Sequence, residues 1–449
     1  MMWFMVIILL SLWLPRVALG LELDAARHLL ARTSFGVTPA EMTALQSLTY
    51  ETAVDRLLNS ARQQPHTASP TWVDEPPPTR LERRTMSDEE RKAFREQTRE
   101  HGFALKGWWY QEMLSTETPF TERMVLFWHN HFTSSLQKVK WPPLLYRQNL
   151  LLRQHAVGNF RALLHAMARD PAMILYLDSQ TNRRGAPNEN FARELLELFT
   201  LGEGHYSEQD IKEAARAFTG WEVERGTGRF RFNAREHDAG QKTFLGRSGP
   251  FDGDAILDLL LAQPRLAVHI TEKLWRAFIS DTPDAAEVQR LAAVFRQHDY
   301  ALKPLLKALF MSSYFRAASN RGTMIKSPVE LIVGTVRFLH VPVRDPEPLV
   351  RAGRHLGQDL FDPPNVKGWP GGQAWITSST LLARQQFLHR LLRGQDMPGD
   401  PNVQMAPGLP SEQFIHLLLP MAPVHPLPQA VEGKMVLEHL MLDPVYQLQ

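Results

Sequence analysis

Two histidines, His129 and His131, stand one residue apart in the run Met124–Phe132, MVLFWHNHF. On a strand, alternate side chains point the same way and His-x-His makes a good pair of metal ligands. On a helix the two lie about 200° apart, since each residue turns about 100°. Only a helix end brings them together there. The neighbours Val125, Leu126, Trp128 and Phe132 are apolar, which suits a buried helix end and two satisfied core histidines equally well. The string HNH is not the nuclease motif of that name, whose residues are spread over a longer segment.

A second group is rich in oxygen donors. The stretch Tyr176–Trp221 carries Asp178, Asn182, Asn188, Glu189, Asn190, Arg193, Glu194 and Glu197. Such side chains suit a hard cation or the hydroxyls of a sugar. With His129 and His131, the carboxylates Asp178 and Glu194 complete a ligand set for a divalent metal ion, the one cofactor class the sequence points to. Glu189 and Glu194 are candidate acid–base groups, as is His131. Asn182, Asn188, Asn190 and Arg193 are candidates for holding substrate. The spacing is not that of an EF-hand loop. The structural alternative is that these residues tie down a loop and cap helices. Arg193 and Glu197 also fit a helical ion pair worth a few tenths of a kcal/mol.

His237 and Asp238 form a third candidate, because an adjacent carboxylate raises a histidine's basicity for general-base work. Lys242 lies close enough in sequence to orient a substrate, although a turn held by aspartate explains the trio as well. The loop Asn365–Gly372, NVKGWPGG, places Trp369 where it could stack a sugar ring, cover a cleft or simply pack. No nucleophile elbow, P-loop, dinucleotide fingerprint or zinc helix is present.

These groups are carried by well-punctuated helices. Asn188 is a candidate N-cap for a helix with Phe191, Leu195 and Leu198 on one stripe, ended by Gly202. Ser207 and Asp210 open the next, which buries Ile211, Ala214, Ala215 and Phe218 and stops at Gly220. Further start signals occur at Thr38–Glu41, Ser87–Glu90, Asp170-Pro171 and Ser327–Glu330. Arg229–Phe232 and Lys242–Leu245 are short strand-like runs. The fold class is therefore mainly α: a multi-helical domain over residues 21–392 with a small β-hairpin excursion near 229–246. Residues 65–79 form a Pro-rich linker inside it, and 393–449 a Pro-rich C-terminal extension with two short helices.

Bulk properties narrow the classes. The formal charge is +2, and loss of the first twenty residues would remove only Arg16, which leaves +1. That balance excludes nucleic-acid binding driven by bulk electrostatics. The absence of cysteine excludes disulfides, thiol catalysis and thiolate-bound metals. Residues Trp3 to Leu14 form an apolar core before Ala18-Leu19-Gly20, so 1–20 reads as a signal peptide and the protein as periplasmic or secreted. Retention of that segment as an anchor is the alternative. No later run spans a bilayer, so the mature chain has no transmembrane span.

The strings RHLLARTSFG (Arg27–Gly36), MVLFWHNHF, YLD…N (Tyr176–Asn182), PNENFARELLELFTLGEGHYSEQDIKEAARAFTGW (Pro187–Trp221), HDAGQKTFLG (His237–Gly246) and NVKGWPGG together resemble the bacterial family called domain of unknown function 1800. The resemblance covers most of the mature chain. It implies an exported, mainly helical, uncharacterised protein, often encoded beside a second exported family, which makes such a protein the implied partner. It assigns no role to the motif residues. Two functions follow. One is a metal-assisted hydrolase in which His129/His131, the Asn188–Glu194 helix start and His237-Asp238 share one cleft. The other is a non-catalytic envelope scaffold that binds an exported protein or a polysaccharide. Residue types and spacing do not choose between an enzyme and a binding protein.

Overall fold

The computed structural model describes residues 20–224, 226–395, 411–428 and 433–449. The export signal expected at 1–20 lies, apart from Gly20, outside the described residues, as do 396–410 and 429–432 of the C-terminal stretch. The described residues are mainly helical, with two small two-stranded antiparallel sheets among them.

Helices begin where the local spacing requires. Full capping boxes form at Thr38/Glu41, Ser87/Glu90, Ser207/Asp210 and Ser327/Glu330. Each satisfies two otherwise orphaned amides, and a single cap contributes about 1 kcal/mol. Asp88–Ser115 starts in solvent and ends with Leu105, Trp108, Trp109 and Met113 buried. That end packs near Pro119–His131, a helix buried around nearly its whole circumference. Pro142–Gln154 packs against the latter. One apolar cluster runs from Ala26 to Tyr446. It includes Phe414 and Leu440 from the C-terminal helices Ser411–Leu418 and Lys434–Leu442, which contact Leu23–Thr33 and Ser378–Leu392. Among the described residues no helix is long and apolar enough to cross a membrane.

Two details differ from the expectations above. The strand-like runs do not pair with each other. Trp221–Glu224 pairs with Arg229–Phe232, and Lys242–Phe244 with Arg247–Gly249, both antiparallel. Each run finds a partner across its own short turn, which costs less chain entropy than closing the longer loop between them. The helix after Asn188 starts at Asn190 and becomes a π-helix over Leu195–Thr200. Asn188 still caps locally, because its Oδ1 accepts from the Asn190 amide at 3.0 Å.

The helix Pro171–Tyr176, which leads into the oxygen-rich loop, starts at a buried carboxyl. Asp170 is 3% exposed and accepts from the Met173 amide (2.9 Å) and Gln148 Nε2 (2.7 Å). Burial pushes its pKa up to about 7 despite those bonds. An unfolded aspartate ionises near pH 3.8, so this group's contribution to stability is complete below that value and declines as pH rises towards 7. Asp170→Asn keeps the cap without the buried charge. It should gain up to about 4 kcal/mol at pH 8 and little at pH 4. Urea midpoints at the two pH values check this, and equal shifts would contradict it.

Candidate functional site

The C-terminal end of Pro119–His131, the helix Pro264–Phe278 and the loop through Trp369 enclose a solvent-connected cleft of about 440 Å³. Its lining includes Phe127, Asn130, His131, Lys273, Arg276, Asp281, Trp369 and Trp375. His131 is 5% exposed and ringed by Phe127, Trp128, Phe132, Phe160 and Phe199. The Lys273 ammonium donates to His131 Nδ1 at 3.0 Å and to the Leu198 carbonyl at 2.8 Å. An acceptor at Nδ1 fixes the proton on Nε2, which has no hydrogen-bond partner of good geometry.

Electrostatics separate the two groups from their usual behaviour. Burial, then the charges of Lys273 and His269, hold the His131 pKa well below 6.5 against a weaker pull from the Phe199 backbone. Lys273 is pushed down to about 8 by burial and by Arg276 one helical turn away. Near neutral pH the imidazole is therefore neutral, while the lysine can both give and take a proton.

The Leu198 carbonyl reaches the site because of the π-helix. An ordinary α-helix would bond it to the amide of residue 202, but Gly202, at φ 85°, donates to Leu196 instead. Leu198 is left to accept from Lys273 and from His269 Nε2 (3.0 Å). On the opposite wall, Asn130 Oδ1 accepts from the Trp369 amide at 2.7 Å. Gly368 takes φ 83°, and any side chain there would run into Asn130. Glycine therefore sets how closely the tryptophan loop approaches. Lys367 anchors the same loop between Glu197 (3.7 Å) and Glu203 (3.6 Å).

His129 faces the other way, as helical geometry demands. It is 1% exposed among Trp109, Phe361 and Trp369, and burial lowers its pKa to about 3. Trp369 is itself 5% exposed, so only an edge meets the cleft.

Most of the other candidates serve the loop they sit in. Asn182 is buried, donating to the Ala215 carbonyl and accepting from the Asn188 amide. Asn188 donates to Thr181 Oγ1, and Asn190 to the Leu177 carbonyl. Asp178, in the left-handed region at φ 59°, pairs with Lys138 at 2.7 Å. Arg193 is clamped by Glu208 and Glu189. Glu194 is half-buried, its pKa raised by burial and by neighbouring Glu197.

His237 Nδ1 donates to the Thr219 carbonyl at 3.0 Å. Asp238 accepts from Arg216 at 2.8 Å, and that bond heads the causes that lower its pKa. Lys242 is 1% exposed and donates to the Asp238 and Gly240 carbonyls. The loop and this turn touch, through Gly220 N to the Asn182 carbonyl (3.1 Å) and Arg184 N to the Glu236 carbonyl (2.8 Å). Neither lines the cleft with His131, so the structure joins two of the three polar segments and leaves the paired histidines apart.

The expected metal set of His129, His131, Asp178 and Glu194 is likewise not assembled. Among the described residues no three His, Asp or Glu side chains are placed to share a metal ion. The physical reason is that the histidines diverge on their helix and Asp178 is occupied by Lys138.

Lys273, Arg276 and Asn130 are not among the candidates that spacing singled out. A signal was present: Arg265, His269 and Lys273 recur at four-residue intervals in PRLAVHITEKLWRAF, beside the apolar stripe.

A family profile described as a protein of unknown function (DUF1800) matches residues 28–448. The chain belongs to the DUF1800 family. No curated protein and no solved structure matches it. The matched span of this DUF1800 protein includes every residue of the π-helix and the tryptophan loop, together with Asn130, His131, Lys273 and Arg276 of the cleft.

Proposed function

We propose that this DUF1800 protein is an enzyme that performs acid–base chemistry on an oxyanion-bearing substrate in the cleft over His131 and Lys273. The carrying observation is the Lys273–His131 hydrogen bond on the floor of an open cleft, with the lysine poised near neutrality. Strongly shifted groups in a cleft mark functional sites more often than chance. Arg276 lines the same cleft, where a guanidinium suits a carboxylate, phosphate or sulfate.

In the hydrolytic case Lys273, as the free amine, takes a proton from the attacking water and, as the ammonium, returns it to the leaving oxygen as the ester or glycosidic bond breaks. His131, whose Nε2 is sealed from the cleft, stays neutral near pH 7 and through Nδ1 holds the Lys273 amine in position. Arg276 holds the substrate's anionic group, and the edges of Trp369 and Trp375 limit the shape of what enters. Metal assistance, the mechanism first expected for a hydrolase here, has no gathered ligand set among the described residues to support it. A signal peptide at 1–20 would, under the same proposal, set the reaction in the periplasm or outside the cell.

The test combines titration and turnover. With lysines dimethylated by ¹³C reagents, one resonance, absent in Lys273→Met, should titrate near pH 8. It is distinct from Lys326, which burial holds down to about 7 and which is assigned by its own absence in Lys326→Met, and from the solvated lysines at about 10. A panel of carboxylate-bearing esters, phosphate esters and uronic-acid glycosides should yield a substrate whose rate rises through pH 8. Lys273→Met should lower that rate by about 100-fold or more. A Lys273 resonance that titrates with the others, together with unchanged turnover in the variant, would overturn the assignment. Saturable binding of an acidic polysaccharide with no turnover of any panel member would replace the enzyme by the scaffold reading.

A further inference from the structure

Behind the cleft, the interior holds more positive charge than its carboxylates neutralise. Arg27, Arg32 and Arg384 are 3%, 0% and 0% exposed, and Arg123 is 9% exposed. Lys326 is partly covered beside them. Glu330 is the one buried carboxylate in the group, and it is already engaged by Arg123, by Gln449 Nε2 and by the Ser327 amide. Asp24 pairs with Arg321 at the surface, and Asp281 faces the cleft. His28 adds no counter-charge; its Nε2 donates to the Phe315 carbonyl at 2.9 Å.

Guanidinium N–H groups in this nest lack acceptors: Arg27 Nη2, Arg32 Nε and Nη1, Arg123 Nε and Arg384 Nε. A buried, unpaired donor on a charged group is costly, and several at one place point to a missing partner. Burial depresses Arg27 to about 10, Arg32 to about 9 and Arg384 to about 10, with the pull of nearby carboxylates falling short.

At the edge of the nest lies a cavity of about 20 Å³, lined by Arg27, Lys326, Glu330, Thr335 and Tyr446 among others, with Arg32, Arg123 and Arg384 outside its wall. That is room for one water-sized sphere and too little for a tetrahedral oxyanion. Lys326 Nζ donates to the Tyr446 carbonyl at 2.7 Å and lies 3.9 Å from the centre of its ring, so the lysine already bridges to the C-terminal segment. Leu417, Leu418 and Leu448 close the cavity from that segment, while Arg27 and Ala31 close it from the helix Leu23–Thr33.

We propose that this cavity binds a single monoatomic anion, of the size and charge of chloride or bromide, and that the anion fastens the C-terminal segment to the first helix. Arg27 and Lys326 are its direct donors, and Arg32 and Arg384 supply the surrounding field. The site shares the wall residue Glu330 with the cleft over Lys273, but it uses no group assigned to the chemistry there, and its test requires no substrate.

Melting of the full chain would be followed as sodium bromide replaces sodium gluconate at constant ionic strength. The melting temperature should rise by about 4 °C across the exchange and, above the dissociation constant, grow with the logarithm of bromide concentration, as one-site linkage requires. Arg27→Met should abolish the rise; if that variant does not fold, Lys326→Met takes its place. Crystals grown in bromide should give an anomalous peak inside the cavity. Equal melting in both salts, a rise that persists in the variant, a water in the cavity, or peaks at the surface alone (an adventitious ion only) would each overturn the proposal.

Discussion

Moving from pH 7 to pH 5 should cost the folded protein at least roughly 4 kcal/mol, a large part of the stability of an ordinary domain. Burial lowers the pKa of His28 and His129 to about 3 and of His269 to about 4, and takes His131 well below 6.5. The unfolded chain binds these protons near pH 6.5, whereas the folded chain does not. Stability contributed by the neutral rings is thus complete above that value and is lost as pH falls towards the folded values. At pH 5 His28, His129 and His269 each account for about 2 kcal/mol, His131 adds to the loss in the same direction, and Asp170, with its raised pKa, returns about 2 kcal/mol in the opposite sense. Urea midpoints at pH 7, 6 and 5 measure the slope. His129→Leu, which keeps an apolar side chain among Trp109, Phe361 and Trp369, should remove one ring's share of the acid sensitivity. A flat profile, or a variant as acid-sensitive as the parent, would show that these rings are hydrated in solution.

Glu122→Gln should destabilise the protein by about 3–5 kcal/mol, because it leaves a buried guanidinium without its charge partner. Arg153 meets Glu122 through two parallel bonds of 2.8 Å, from Nε and Nη2, with both side chains 1% exposed. Trp109 Nε1 donates to the same carboxylate at 2.8 Å, and Arg153 Nη1 donates to Asn149 at 2.8 Å. The pair locks the first turn of Pro119–His131 to the last turn of Pro142–Gln154, at the opposite end of the helix from His131. Replacing both partners by apolar residues, Glu122→Leu with Arg153→Met, should recover much of the loss, since the desolvation cost of both charges disappears together. A double-mutant cycle by chemical denaturation reads the coupling directly. If Glu122→Gln cost under about 1 kcal/mol, the pair would be no stronger than a solvated one.

How far residue spacing reaches is clearest at His129 and His131. Their spacing on a helix already requires them to diverge, and they do. The same geometry excludes a shared metal unless the helix ends between them, and it ends after both. The oxygen-rich loop shows the reverse. Asp178, Asn182, Asn188 and Asn190 are legible as chemically able groups, yet their partners are carbonyls, amides and a lysine that no periodicity announces. Lys273 carries no such mark, because a lysine in an amphipathic helix reads as a solvated one. Only the carbonyl released at Leu198 and the ring of His131 make it otherwise.

Local order in the chain was enough for the helical class, the start of each well-capped helix, the family and the divergence of the two histidines. These depend on groups within one or two turns of each other, where spacing alone fixes geometry. Which polar residues share a cleft, which carboxylates are already paired, and which bases and acids are shifted from their solution behaviour came from packing. Those outcomes follow from burial and from charges brought in by distant segments, as when Lys273 meets His131 across 142 residues. A string of residue types records what each group can do; the surroundings it folds into determine what it is left free to do.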